Sequence, residues 1–553
     1  MWAMTDPIRV GTRASVLART QTAQVARALE QVSERACEEV LVRTVGDDTS
    51  RPLDQLGQGV FVSALREALR AGEVDVVVHS YKDLPSAPAD GVHLGAVPVR
   101  ADPHDVLVSR SGERLAQLLP GAVVGTSSPR RQAALRRLRP DLVAVPVRGN
   151  VDSRVRQVRD GRVDAVVLAR AGLQRLGRAD EAAEVLTQLL PAPAQGALAV
   201  ECRADDEPVR QWLQRLDDPG ARLTTAAERH VLVGVGATCT TPVAALAEHD
   251  GTTLRLRAEL TDDGGHTHLA DAEVSCALGD VATAAALGLR AAAHLNGNVR
   301  DGLVLLVRDG SADPDLAALR GVGLAGVSDP YIRVGAHPDP RPGAEIAELL
   351  EVWAGSPAER RWVVATSPSA VLCWEATVAP GRLRAAVAGA VAAGVRAAAV
   401  GERTAATLRA VGFPVVVVPP GATSADLVAL LSREPAGEAL LPAGDLALPT
   451  MVEGLSEHGW SVHRAVVYRT RPVDEEPAST RLLQAGEIAA VVLRSPSAAR
   501  AFASVAPGAR VPVVCGGPTT ARAAAALGLM VGGVAVDPTP AVVADAVRQV
   551  VRR

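Results

Sequence analysis

The amino-acid sequence predicts an α/β protein: a two-lobed body with a small third α+β domain, followed by a second module of two α/β lobes. Short apolar segments alternate with helical segments over residues 6–194, a pattern typical of sheets covered by helices. Residues 219–298 replace this alternation with a helix and a hairpin pattern. From residue 303 onward, apolar strands again precede helices, through loops rich in Ser, Thr and Gly. With 553 residues the chain is too long for one core, so several domains are expected.

The predicted domains follow these changes of pattern. They are residues 1–98 with 195–218, residues 99–194, residues 219–298, and a module over 299–553 whose lobes are about 303–330 with 472–553, and 331–471.

Composition and charge exclude several function classes. The net charge is −4 and aromatic residues make up 2% of the chain, which argues against a nucleic-acid partner. The longest apolar run, Ala385 to Val395, has 11 residues and is too short to span a bilayer. The opening MWAMTDPIRV lacks the pattern of a secretory signal. We therefore expect a cytoplasmic protein with no nucleic-acid, membrane or obligate protein partner.

The cysteines do not indicate a metal site. The six of them, at positions 37, 202, 239, 276, 373 and 515, show neither CxxC nor His-paired spacing. We expect neither a bound metal nor a disulfide framework.

The first elements can be assigned from apolar periodicity and capping residues. IRVG (8–11) is a predicted strand, Ser15 caps a predicted helix to about Glu34, EVLVRTV (39–45) is a second strand, and VFVSALREALRAG (60–72) is a helix ending on glycine. The polar loop between the last two is either a mobile lid or an ordinary connection.

The stretch VDVVVHSYKDLP, Val74 to Pro85, predicts a buried strand that delivers Lys82 and Asp83 to the end of a sheet. Lys82 is the only lysine among 58 basic residues. An ammonium is a compact, deprotonable charge that a guanidinium cannot fully imitate, so this exception favours a functional role.

A cluster of arginines follows. Ser128 fits a helix N-cap and Pro129 the first helical position, which puts Arg130 and Arg131 in a first turn, where cations are disfavoured unless an anion is bound. Arg148 ends a strand and Arg154 lies on the next helix. Residues 130–178 contain 13 Arg against 4 Asp and no Glu, a surplus of nine positive charges. We expect a substrate with several carboxylates or phosphates.

The rest of the chain carries weaker signals. PAPAQGALAVECR (191–203) is a loop and a strand expected to return to the first lobe, TAAERHVLVGV (225–235) is a helix, and HLNGNVRDG (294–302) is a linker or a domain boundary. Cys239 lies in a loop of small and hydroxyl residues, where a cysteine is ordinarily a small buried thiol. In the second module, SPSAV (367–371) pairs with SPSAA (495–499) and GERTAATL (401–408) with GGPTTARA (516–523), which predicts two similar lobes.

The first half of the chain resembles porphobilinogen deaminase, also called hydroxymethylbilane synthase, over about residues 6–300. The resemblance is carried, in order, by VGTRASVLA, GVFVSALREAL, HSYKDLP, GTSSPRRQ, VRGNVDSR, LARAGLQRLG, PAQGALAVECR and ATCTTPV. It implies a two-lobed body like that of periplasmic binding proteins, with a third domain whose cysteine carries a dipyrromethane cofactor through a thioether. Cys239 is the matching residue.

The resemblance also implies the chemistry. Four porphobilinogen units condense on the cofactor with loss of ammonia, and hydrolysis releases hydroxymethylbilane. Asp83 matches the catalytic aspartate, and a carboxylate there would stabilise the cationic azafulvene left when ammonia departs. Lys82 belongs to the same site. The residues that match cofactor-binding positions are Lys82, Asp83, Thr126, Ser128, Arg130, Arg131 and Cys239, and those that match substrate-binding positions are Arg13, Ser15, Arg148, Arg154 and Arg175.

The sequence departs from the family pattern in two loops. Gln58 stands in the lid loop where some relatives have lysine. Ala237 and Thr238 replace glycines before the cofactor cysteine, and Ala244 replaces a glycine after it, which reduces backbone freedom there.

The second half resembles uroporphyrinogen-III synthase, which closes hydroxymethylbilane to uroporphyrinogen III with loss of water. Its candidate catalytic residue is Tyr468, in AVVYRTRP, which would help water leave the hydroxymethyl group. Such a site could also work mainly by holding the substrate in the right conformation.

Two other interpretations stay open at the level of sequence. One is an active deaminase whose second half is an inactive scaffold. The other is a two-lobed binding protein for a polycarboxylate, because the same architecture serves either use. The Lys82-Asp83 pair together with Cys239 favours the enzyme, since a binding protein needs no cofactor thiol.

Overall fold

The computed structural model describes residues 6–42, 60–87, 89–238, 240–262, 264–297, 299–307, 314–355, 360–420 and 423–552. Gln58 and Cys239 lie outside the described residues. The chain divides into two compact units, residues 1–330 with 476–553, and residues 331–475. Each unit is described separately below.

The elements of the first two sheets alternate strand and helix. In chain order they are β1 (Ile8–Thr12), α1 (Val16–Ser33), β2 (Cys37–Leu41), α2 (Val60–Arg70), β3 (Val76–Ser80), β4 (Val92–Ala96), β5 (Asp105–Ser109), β6 (Val123–Gly125), α3 (Pro129–Leu138), β7 (Val143–Val145), α4 (Val151–Arg159), β8 (Ala165–Ala169), α5 (Arg170–Arg175), β9 (Glu184–Leu186), β10 (Leu198–Arg203) and α6 (Glu207–Gln214).

The two sheets form the lobes of the first body. One has strand order β2-β1-β3-β10-β4 and the other β7-β6-β8-β5-β9. In each, most strands are parallel and one strand runs antiparallel to its neighbours: β10 pairs with β3 and β4, and β5 pairs with β8 and β9. The chain therefore leaves the first sheet after β4 and comes back to it through β10.

Local sequence explains where the helices begin. The Ser15 hydroxyl accepts the Ala18 N–H at 3.3 Å and starts α1, and Ser128 caps α3 with Pro129 at the first helical position. These caps satisfy N–H groups that have no partner inside the helix. The Ser15 and Ser128 helix starts agree with the sequence predictions.

The two connections between the lobes lie against each other. Gly196 has φ +87°, and a Cβ on it would meet the Ala101 carbonyl oxygen at 2.4 Å. The Arg100 guanidinium donates to the Gln195 carbonyl at 2.9 Å and, through both Nη atoms, to Glu228 at 2.8 Å. Only glycine fits this contact at position 196.

The third domain packs two helices on an antiparallel sheet. Its elements are α7 (Pro219–Gly234), β11 (Val243–His249), β12 (Thr253–Thr261), β13 (Thr267–Ser275) and α8 (Val281–Asn296). The strands pair in the order β11-β12-β13, and both helices lie against the sheet and against each other.

The second module has the expected two α/β lobes. Its elements are β14 (Leu303–Leu306), α9 (Pro314–Gly321), β15 (Ala325–Ser328), β16 (Ile332–Ala336), α10 (Arg341–Ala354), β17 (Arg361–Ala365), α11 (Pro368–Ala376), α12 (Arg382–Ala392), β18 (Arg396–Ala399), α13 (Glu402–Val411), β19 (Val416–Val417), α14 (Ser424–Leu431), β20 (Glu438–Gly444), α15 (Thr450–Glu457), β21 (Ser461–Pro472), α16 (Ser479–Gln484), β22 (Ile488–Leu493), α17 (Pro496–Val505), β23 (Val513–Cys515), α18 (Pro518–Ala526), β24 (Val531–Val534) and α19 (Pro540–Val551).

The two lobes of this module belong to different units of the chain. The sheet β15-β14-β22-β23-β24 lies in the first unit, and the sheet β16-β21-β20-β17-β18-β19 lies in the second. The fold class predicted from the sequence is therefore confirmed: a two-lobed α/β body, a small α+β domain and a two-lobed α/β module. The domain boundaries remain predictions.

The structure corrects three local predictions. The second strand covers Cys37–Leu41 rather than 39–45, and residues 43–59 are outside the described chain. Helix α7 begins at Pro219, capped by Asp218, about a turn and a half before the predicted start at residue 225. The segment 294–302 is predicted from the sequence as a linker or boundary, but its first residues belong to α8, which continues to Asn296, and Asn296 is 1% exposed. The polar residues of HLNGN suggested a loop, but tertiary contacts bury Asn296, while His294 stays exposed.

Candidate active site

Lys82 and Asp83 lie in a tight 3-10 turn, Tyr81–Asp83, directly after the buried strand β3. Arg229 of α7 fixes this turn from the third domain: its guanidinium lies over the Tyr81 ring at 4.5 Å and donates to the Tyr81 and Leu84 carbonyls at 3.2 Å. Asp83 itself is exposed. The predicted placement of the pair at the end of a sheet is therefore found, and α7 holds it there.

The Lys82 ammonium is partly buried among charged groups. It donates to the Gln195 side-chain oxygen at 3.1 Å. Burial lowers the pKa of Lys82 to about 8, with Asp83 and Asp105 raising the pKa and the nearby Arg131 and Arg130 lowering it. Lys82 is thus a cation that can lose its proton near neutral pH, which an arginine cannot do.

Asp105, the first residue of β5, is a buried carboxylate that sequence reasoning missed. Its Oδ2 accepts from Arg130 Nη2 at 2.7 Å, and its Oδ1 accepts from Arg131 Nη2 at 2.7 Å and from Gln195 Nε2 at 2.8 Å. The two arginines hold the pKa of Asp105 well below its usual value despite burial, while burial lowers the pKa of Arg130. One internal anion therefore faces two buried cations, and a net positive charge remains.

The segment before α3 is folded on itself. Thr126 is fully buried, and its hydroxyl accepts the Ser128 N–H at 3.2 Å. The Ser128 hydroxyl in turn accepts the Arg131 N–H at 3.5 Å. These contacts orient the first turn of α3, so that Arg130 and Arg131 enter the core toward Asp105.

The other predicted arginines differ in how firmly they are held. Arg175 donates to the Gly196 carbonyl at 2.7 Å, and burial lowers its pKa to about 10. Arg154 donates to the Gly149 carbonyl at 2.9 Å, and burial together with neighbouring Arg131 lowers its pKa. Arg148 is exposed, whereas Arg13, after β1, is partly buried. Arg154 therefore joins Arg130, Arg131 and Lys82 in one cationic cluster.

Lys82 and Arg130 each lie close enough to Arg131 for its charge to lower their pKa, and the same is true of Arg154. Such a concentration of positive charge is only partly offset by the carboxylates of Asp83 and Asp105, and it favours an anionic ligand. Among the described residues, the Ser15 hydroxyl makes the contact of a helix cap, to the Ala18 N–H.

Asp105 and Gln195 had no recognisable local signal. An Asp before a strand usually forms a turn, and Gln195 stands in a loop of Pro, Ala and Gly. The only available hint was indirect: two arginines in the first turn of a helix require an anion, and that anion could have been internal.

The described neighbours of Cys239 form a hydroxyl network. The Thr238 N–H donates to the Thr241 hydroxyl at 2.9 Å, and the Thr238 hydroxyl lies 3.0 Å from those of Thr240 and Thr241. Within the described residues, no group of three or more His, Cys, Asp or Glu side chains could hold a metal ion, and no helix is long and apolar enough to cross a membrane.

In the second unit, Tyr468 lies on β21 beside the start of α11. Its hydroxyl is 3.2 Å from the Ser367 hydroxyl, and burial raises its pKa. A Cβ on Gly444 would meet Tyr468 ring atoms at 2.4–2.5 Å, so glycine there makes room for the ring. Ser367 also caps α11, as Ser495 caps α17 with nearly the same backbone angles, in line with the predicted similarity of the lobes.

The fold and charge of the first site define a class: a two-lobed α/β protein with a third domain, built around a cationic site for a small anionic molecule. Comparison with known families identifies it further. Residues 8–211 match the model for porphobilinogen deaminase, dipyrromethane cofactor binding domain, residues 222–297 match its C-terminal domain, and residues 315–544 match uroporphyrinogen-III synthase HemD.

Two curated relatives are similar to the deaminase part, and one solved structure is similar to the synthase part. Porphobilinogen deaminase of Mycolicibacterium paratuberculosis is 47% identical over 298 residues, covering 52% of this chain and 93% of the relative. That of Nocardia farcinica is 53% identical over 244 residues, covering 44% of this chain and 70% of the relative. A crystal structure of mutant uroporphyrinogen III synthase from Thermus thermophilus is 20% identical, with a TM-score of 0.33, and the match covers 45% of this chain and 99% of that structure.

The chain belongs to the porphobilinogen deaminase family, and it continues into a uroporphyrinogen-III synthase domain. It therefore joins two enzyme domains of tetrapyrrole biosynthesis that act on small molecules, and it contains the dipyrromethane-binding domain of the deaminase family.

Proposed function

We propose that this chain condenses four porphobilinogen molecules into hydroxymethylbilane, with release of ammonia, and then closes the product to uroporphyrinogen III with inversion of the D ring and loss of water. The observation that carries the first step is the Lys82-Asp83 turn beside the cluster of Arg130, Arg131 and Arg154. Porphobilinogen bears an acetate and a propionate, so each unit brings two negative charges to a site with surplus positive charge.

The cluster fits a dipyrromethane for the same reason. Lys82, Thr126, Ser128, Arg130 and Arg131 would hold its acetate and propionate groups, and Cys239 would attach it through a thioether. When bound, the group supplies the pyrrole carbon to which the first substrate unit is joined. The hydroxyl network of Thr238, Thr240 and Thr241 would limit the motion of the attachment loop.

Asp83 has the exposure that a catalytic carboxylate needs. Loss of ammonia from porphobilinogen leaves a cationic azafulvene, and a carboxylate beside the pyrrole N–H stabilises that charge and can accept a proton. Arg229 fixes the backbone of the turn, which reduces the reorganisation required of Asp83 during the reaction. Lys82 would neutralise a substrate carboxylate next to it.

The remaining arginines would bind the incoming substrate. Arg13 directly follows β1, Arg148 lies between β7 and α4, Arg154 lies in the first turn of α4, and Arg175 ends α5. Ser15 precedes α1. Arg175 donates a hydrogen bond to the Gly196 carbonyl, so its position would depend on that of the connection between the lobes.

In the second module, we assign the departure of water to the region of Tyr468. The Tyr468 hydroxyl is protonated at neutral pH, as an ordinary phenol is, and burial raises its pKa further. The Ser367 hydroxyl, 3.2 Å away, orients it. A neutral phenol can donate a hydrogen bond to the leaving hydroxyl group of hydroxymethylbilane.

The testing experiment is incubation of the purified chain with porphobilinogen, followed by oxidation and separation of the porphyrin isomers. We expect mainly type III from the wild type and more type I from Tyr468→Phe. Asp83→Asn should release almost no ammonia while keeping the fold. Type I alone from the wild type would reduce the second half to a scaffold, and substantial turnover by Asp83→Asn would refute the role of Asp83.

A further inference from the structure

Helix α8 has apolar residues on all of its faces. Between Ala284 and Leu295, nearly every side chain is Ala or Leu and is buried. A helix of this composition must be covered on every side. One side packs on α7 and another on β12 and β13, while β15 and α16 of the synthase lobe cover a further part.

The last residue of α8, Asn296, is 1% exposed and joins three elements. Its Nδ2 donates to the Gly234 carbonyl at the end of α7, at 3.1 Å, and to the Gly326 carbonyl of β15, at 2.9 Å. Arg320 of α9 donates to its Oδ1 at 2.9 Å and to its backbone carbonyl at 2.9 Å. Both amide hydrogens and the amide oxygen are therefore used, as a buried polar group requires.

Charged contacts add to this interface at its edge. Arg290 of α8 binds Glu487 of the synthase lobe through Nε at 2.8 Å and Nη2 at 2.5 Å, and this pair raises the pKa of Arg290. Arg481 of α16 lies close enough to Asp280, the cap of α8, to lower the pKa of that carboxyl group. The deaminase third domain and this synthase lobe thus meet through a buried polar centre and the partly exposed ion pair of Arg290 with Glu487.

Gly234, which accepts a hydrogen bond from Asn296, lies close in the chain to Cys239 of the deaminase. Gly234 ends α7, and residues 235–238 lead directly to Cys239. The N–H groups of Val235 and Ala237 donate back into α7, to the Val231 and Leu232 carbonyls. Asn296 therefore ties the helix end from which the cysteine loop departs to a strand of the synthase lobe.

We propose that the synthase lobe of residues 303–330 and 476–553 is a structural part of the deaminase third domain, and that it orders the base of the Cys239 loop through Asn296. The two halves are then not independent modules on a flexible connection. The inference goes beyond the catalytic assignment and does not depend on it, because it concerns local stability at the end of α7.

The test is amide hydrogen exchange of the full-length protein, comparing the wild type with Asn296→Ala. This substitution removes the side-chain partner of the Gly234 and Gly326 carbonyls and of Arg320 Nη2, while Arg320 Nε keeps the backbone carbonyl of residue 296. The loss should accelerate exchange about tenfold or more. The acceleration is expected both at residues 235–237 and in β15. The matched control is Arg255→Ala, which removes an exposed ion pair with Glu273 elsewhere in the same domain, and it should leave both segments unchanged.

A milder pair of variants guards against global unfolding. Arg290→Glu and Glu487→Arg should each accelerate exchange in α8 and at residues 235–237, and the double exchange of charges should restore the wild-type rates. Faster exchange in β15 alone, with residues 235–237 unchanged, would overturn the proposal. The proposal would also be overturned if the double variant accelerated hydrogen exchange as much as the two single variants added together.

Discussion

The buried carboxylate of Asp105 offers the sharpest test of how the cationic cluster is held. In Asp105→Asn, one amide oxygen can still accept from Arg131 and Gln195, but the new amide nitrogen then faces the Arg130 donor, which is 2.7 Å from the present Oδ2. Removing one partner of a buried charge pair typically costs about 3–5 kcal/mol, because the remaining charge stays buried and uncompensated. We expect a loss of that size, since Asp105 is fully buried and both arginine side chains are 7% exposed.

The assay is amide hydrogen exchange in β5 and β8, whose ladder carries Asp105 at one end. A loss of about 3–5 kcal/mol corresponds to faster opening by roughly 100-fold to several thousand-fold. The matched control is Asp141→Asn in the same lobe, whose carboxylate pairs with Arg139 at the surface. This substitution should cost far less stability, because solvent screens an exposed ion pair. If Asp105→Asn opened no faster than Asp141→Asn, the two arginines would not depend on Asp105.

Three further predictions concern titration and attachment. Burial lowers the Lys82 pKa to about 8, so kcat/KM for porphobilinogen should fall above about pH 8. Lys82→Arg should remove that decline at alkaline pH. An unchanged decline in this variant would exclude Lys82 as its source. Burial raises the Asp329 pKa from 3.8 to about 6. The folded state therefore binds this proton more tightly than the unfolded state, and stability falls as pH rises from about 4 to 6. Asp329→Asn should be more stable than wild type by up to roughly 3 kcal/mol at pH 8 and similar to it at pH 4, and equal urea midpoints of the two proteins at both pH values would contradict this. Cys239→Ala should lack the dipyrromethane mass in intact-protein mass spectrometry, and a mass that differs from wild type only by the substitution would refute attachment there.

Local sequence determined much of the architecture. Apolar periodicity located the strands and helices, and Ser15, Ser128 and Pro129 marked helix starts because capping depends on residues within one turn. The single lysine and the arginine surplus pointed to an anion site before any fold was known. These features are local, so composition and spacing are enough to predict them.

The tertiary structure alone decided which charges are neutralised and which residues join the domains. Asp105 meets Arg130 and Arg131 from 25 and 26 positions away, and Lys82 meets Gln195 across 113 positions. Asn296 read as part of a linker, yet it connects α7, α8 and β15. Such contacts depend on how strands and helices from distant parts of the chain are placed side by side, and a pattern of neighbouring residues carries no information about that placement.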